Sequence, residues 1–123
     1  VQDFSCVFLN YDSFNEYIVS WDVSHATTMR NVFLCARSVN QDISSWDTTG
    51  FTSSVAGLDF FTTSGLSTAN YDALLIGWSA QAVRPSTNFN FGTAQYTLGG
   101  AAESARNTLI NTYGWTITDG GGI

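Results

Sequence analysis

The chain has 123 residues, enough for one domain with a real core, and its 44% hydrophobic share argues against wholesale disorder. It has no lysine, and four arginines stand against ten acids for a net charge of -6. That balance argues against nucleic acid and against docking on anionic lipid, since both need clustered cations.

With only 11% of residues charged, the surface must be built from Ser, Thr, Asn and Gln, as is common on secreted and cell-surface proteins. No apolar run approaches the length of a membrane span, so membrane insertion is not expected. No basic stretch followed by an apolar one opens the chain, so a leader is expected to have been removed or never included. Cys6 and Cys35 are too few for a disulfide framework and lack metal-site spacing.

In chain order, the first elements form a doubled phrase. FNEYIVSWDVS begins at Phe14 and VNQDISSWDTT at Val39, 25 positions apart. The shift carries Asn15 onto Asn40, Ile18 onto Ile43, Ser20 onto Ser45, Trp21 onto Trp46 and Asp22 onto Asp47. It extends backward, with Val7 and Phe8 falling on Val32 and Phe33, so the chain is expected to start in the middle of a unit. Within a unit, IVSWDVS and ISSWDTT have the β-branched and aromatic character of a short strand. Met29, Val32, Phe33 and Ala36 then follow at helical spacing. One strand and one short helix per 25 residues predicts a solenoid, in which stacking buries the apolar face that a single unit cannot cover.

The second half continues as helix, strand, helix, strand. Ser67 or Thr68 caps a helix whose Tyr71, Leu74, Leu75 and Trp78 make one apolar stripe. Pro85 marks a polar loop, and Phe89 and Phe91 mark a short strand. Gly99 and Gly100 precede a helix with Ala102, Ala105, Leu109 and Ile110 facing in, and Gly114 suits its C-terminal end. Trp115–Thr118 reads as a last strand, followed by a flexible GGGI terminus.

The Asn-x-x-Ile-x-x-Trp-Asp pattern, with its following Met and Phe, resembles the repeats of BspA-like leucine-rich-repeat surface proteins of bacteria, over roughly residues 1–58. LSTANYDALLIGW through YGWTITDGG is similar to the closing segment of such arrays. Ser54 in place of Met29, and Gly57 in place of Val32, depart from the pattern, as terminal units do. The expected fold is therefore α/β: a short leucine-rich-repeat-like solenoid with a parallel sheet, repeats over residues 1–65 and a cap over residues 66–123, in one continuous domain. The resemblance implies secretion or surface display, and repeats that serve adhesion and protein contact.

Few residues look able to do chemistry. Asp22 and Asp47, with Ser20 and Ser45, are candidate contacts on the strand face. The aspartates are expected to accept hydrogen bonds from the turn that follows each strand, because no glycine-punctuated acidic loop for calcium is present. Asn15 and Asn40 are expected to form a structural ladder, together with Ile18 and Ile43. Trp21 and Trp46 share a column that either buries its indoles or presents a binding stripe. His25 has no ligating or catalytic companion in view, Cys6 and Cys35 are expected to be free thiols, and no cofactor motif or catalytic constellation occurs. The expectation is a non-enzymatic extracellular module that contacts protein or glycan on a cell or matrix surface. The alternative is a structural subunit assembling with copies of itself, head to tail, through an uncapped edge near Phe4, Phe8 and Phe14.

Overall fold

A computed structural model describes residues 40–51 and 66–123. Four regular elements follow in the order helix, strand, helix, strand: α1 (Thr68–Ser79), β1 (Asn88–Asn90), α2 (Ala101–Asn111) and β2 (Thr116–Thr118). The described part is thus mixed α/β. β1 and β2 pair in parallel, with Asn88 opposite Thr116 and Asn90 opposite Thr118. Parallel neighbours need a crossover connection, and α2 lies in it.

α1 starts where the sequence predicts. Ser67 adopts an extended backbone and its hydroxyl accepts the Asn70 N–H at 3.2 Å, a cap worth about 1 kcal/mol. Tyr71, Leu74, Leu75 and Trp78 are all buried, so the stripe faces the core. The same face receives the segment 40–51. A Cβ on Gly77 would lie 2.4 Å from the Ser44 carbonyl oxygen, so only glycine permits this approach of helix and loop. The Trp78 indole N–H donates to the Ile43 carbonyl at 3.1 Å.

α2 starts at Gly100, which offers no side chain to cap it, and Glu103 in its first turn complements the helix dipole. Ala102, Ala105 and Leu109 are buried as the pattern predicts, whereas Ile110 is half-buried. Past the helix, Gly114 takes a positive φ of 68°, and the Trp115 N–H turns back to the Leu109 carbonyl at 2.9 Å. This reversal delivers Trp115 to the core, where its ring stacks on Phe89 at 4.7 Å. Phe89 also stacks on Phe91 and meets Trp78 edge-on, so α1, β1 and the turn after α2 share one aromatic cluster.

Two expectations are corrected. Ile43–Thr49 forms no strand: Ser44 and Ser45 lie in a turn, Trp46 in a bend, and Thr49 opens a second turn. Local bonds explain the difference: the Asp42 carboxylate accepts from the Ser44 N–H, the Trp46 N–H donates to the Ile43 carbonyl, and the Asp47 carboxylate accepts from the Thr49 N–H and hydroxyl. Such side-chain bonds offer the backbone an alternative to a ladder. The GGGI terminus is not a loose tail. Tyr96 bridges Gly122 in parallel, the Leu98 N–H donates to the Ile123 carbonyl, and the Ile123 N–H donates to the Tyr96 carbonyl.

Candidate functional site

Ser45 and Asp47, the candidate contacts in the second copy of the phrase, are exposed, but they sit on the turn rather than on a strand face. Asp47 carries out the expected turn bonding through Thr49. Ile43 and Trp46 are buried, which resolves the open orientation of the second tryptophan. The Asn40 amide oxygen accepts from the Ser67 N–H at 2.8 Å and from the Asn70 side chain at 2.9 Å, tying this segment to the start of α1. Gln81 makes the matching tie at the other end of α1: its amide donates to the Trp46 carbonyl and accepts from the N–H and hydroxyl of Thr48, which is fully buried. The candidates Ser20, Asp22, Phe4, Phe8, Phe14, Asn15, Ile18 and Trp21 lie outside the described residues, as do His25, Cys6 and Cys35.

Among the described residues, Asp119 gathers a polar cluster that no sequence motif announces. The Tyr71 hydroxyl donates to Asp119 Oδ2 at 2.6 Å, and Arg106 Nε donates to the same oxygen at 2.8 Å. The other oxygen, Oδ1, accepts from Arg106 Nη2 at 3.3 Å and from the Gly121 N–H at 3.0 Å. The Asp119 side chain is 3% exposed and that of Arg106 19%. The guanidinium lies 4.8 Å from the centroid of the Tyr96 ring, a cation–π contact on its remaining face.

The surroundings shift the two partners in known directions. Burial, reinforced by the hydrogen bond to Asp119, pushes the Tyr71 hydroxyl far above the ordinary tyrosine range. Burial opposes charge on Arg106, but the bond and charge of Asp119 outweigh it and raise the guanidinium above its usual value. Chemically this is a clasp. Each carboxylate oxygen already takes two donors, so Asp119 has no lone pair left for a substrate proton. A signal for it existed in the sequence: a tyrosine on a wholly buried helix stripe must find an acceptor for its hydroxyl.

A second feature is the outward face of the small sheet. Phe89 is buried, so its neighbours Asn88 and Asn90 point away from the core, beside the exposed Thr116 and Thr118. The face is polar and carries no charge. Among the described residues no group of His, Cys, Asp and Glu side chains converges as metal ligands do, and no helix is long and apolar enough to cross a membrane.

The helix–strand–helix–strand arrangement, with its parallel pair, its clasped terminus and its uncharged outer face, defines a small mixed α/β domain. Residues 1–95 match the family described as "Mycoplasma protein of unknown function, DUF285", and the chain belongs to that family. The match ends at Gln95, so α2, β2, Arg106 and Asp119 lie beyond it, whereas Tyr71 lies within it. No curated protein and no solved structure matches the chain.

Proposed function

We propose that the chain is the closing end of a short leucine-rich-repeat-like stack of the BspA type, displayed outside the cell, and that it works without catalysis as a contact module for protein or glycan. The stack reading draws support from spacing. Asn40 is bonded to Ser67, 27 positions on, and Asn88 pairs with Thr116, 28 positions on (116 minus 88), both close to the 25-residue repeat of the sequence. In this reading the doubled phrase supplies the turn of each unit, and the β1–α2–β2 segment closes the end.

The observation that carries the function is the outer sheet face, where Asn88, Asn90, Thr116 and Thr118 gather amides and hydroxyls without charge. Such a surface suits neutral, hydroxyl-rich partners, which long-range electrostatics would not steer. The test is binding of the full chain to immobilised glycans and matrix proteins, compared with the double variant Thr116→Arg, Thr118→Arg. Loss of binding in a variant with an unchanged circular dichroism spectrum supports the reading. Equal binding by both proteins removes this face as the contact surface.

A further inference from the structure

The Asp119 clasp encloses the only Asp–Gly or Asn–Gly step in the sequence, Asp119–Gly120. Among aspartyl steps, Asp–Gly is the one most prone to spontaneous rearrangement, because glycine leaves its amide nitrogen sterically open to attack on the preceding side chain. The fold itself demands both residues. A Cβ on Gly120 would lie 2.2 Å from the Thr93 carbonyl oxygen, so no other residue fits there. Asp119 is equally constrained, since its carboxylate joins α1, α2 and the terminal segment.

We propose that Asp119–Gly120 is a latent isomerisation site, held unreactive by the clasp and exposed when the terminal segment comes away. In the reaction, the Gly120 nitrogen attacks Cγ of Asp119. A C–N bond forms, a carboxyl C–O bond breaks, and the oxygen leaves as water with the amide proton and one proton from solvent. Water then reopens the resulting ring at either carbonyl, giving back aspartate or giving isoaspartate, with one extra methylene in the main chain.

The folded geometry opposes each part of this sequence. The Gly120 N–H is committed to the Ala94 carbonyl at 2.7 Å, so the nucleophile is occupied. Both oxygens of the carboxylate are held, so neither is ready to leave and Cγ cannot swing toward the nitrogen. Opening of the segment removes both restraints together. The extra methylene would then shift Gly121–Ile123 out of register with Tyr96 and Leu98, so a rearranged terminus could not redock. Isomerisation thus makes release of this end irreversible.

The experiment incubates the full chain at neutral pH, native and in urea, and follows isoaspartate at residue 119 by peptide mapping, with the succinimide seen as a species one water lighter. The native chain is expected to react at least about tenfold more slowly than the urea-unfolded chain, because reaction requires opening. Arg106→Gln, if folded by circular dichroism, should react faster than the native chain. Equal rates in the native and unfolded samples would overturn the proposal, as would a folded Arg106→Gln with the native rate. The native and urea comparison stands whether or not the variant folds.

Discussion

The Tyr71 hydroxyl and the Asp119 carboxylate meet at 2.6 Å across 48 positions of sequence, joining the buried stripe of α1 to the residue that follows β2. The bond ties the segment after β2 to the first helix. Tyr71→Phe leaves the ring packed against Phe91 but removes a donor from a buried carboxylate, and should destabilise by about 1–3 kcal/mol. Urea denaturation of the two proteins checks it, and an unchanged midpoint would deny the bond any role in stability.

The same hydroxyl makes the fold sensitive to alkali. Its folded pKa lies above the unfolded value of 10.0, so the unfolded chain gives up this proton first as pH rises. The stabilisation is therefore complete below that value and falls as pH climbs beyond it. The wild type should lose urea resistance more steeply above about pH 10 than Tyr71→Phe does. Parallel slopes in a pH series of urea midpoints would contradict this.

Arg106→Ala tests the other half of the clasp. It strands a carboxylate only 3% exposed, with the Tyr71 and Gly121 donors remaining. Removing one partner of a buried pair costs about 3 kcal/mol at the lower end of the usual range, the end that fits an arginine still partly open to water. Native-state hydrogen exchange should show the Tyr96 and Ile123 amides losing protection before those of α1. Uniform loss across the domain would show that the clasp does not act locally on the terminus.

Much of the C-terminal half was legible because its signals are local. Ser67, the Tyr71–Trp78 stripe, Phe89 and Gly114 each declare an element within a few residues, and all four elements appear in the expected order. The segment Ile43–Thr49 misled because its β-branched and aromatic residues also satisfy a turn, and Asp42 and Asp47 tip the balance through bonds to Ser44 and Thr49. The terminal glycines look loose in sequence, yet their missing side chains are what allow close packing against Thr93 and Leu98. The clasp was illegible for a different reason. Nothing local links positions 71, 106 and 119; the packing of α1 against the β1–α2–β2 unit brings them together.

Gln81→Ala should release the turn from α1. The substitution removes the acceptor of the Thr48 N–H and hydroxyl and the donor to the Trp46 carbonyl, at a site where Thr48 is fully buried. Unsatisfied groups of this kind cost about 1–3 kcal/mol. Exchange of the Thr48 amide should accelerate more than that of the Leu74 or Leu75 amides. If it stays protected, another group already satisfies it.

Two glycines separate the effects of close approach and of capping. Gly77→Ala puts a methyl 2.4 Å from the Ser44 carbonyl oxygen and 2.8 Å from its Cβ, so α1 and the turn must part, at a cost of about 1–3 kcal/mol. That loss would come despite alanine's better helix propensity, which by itself favours the variant by about 1 kcal/mol. Gly100→Ser places its side chain in open space on an extended backbone at the start of α2, where a hydroxyl can cap a free N–H. It should stabilise by a few tenths, about 0.3 kcal/mol. Thermal melts of the two variants should therefore shift in opposite directions. A Gly77→Ala protein that melts higher than the wild type would mean that α1 does not rest on the Ser44 backbone, and the tie between the two described segments would lose its main steric argument.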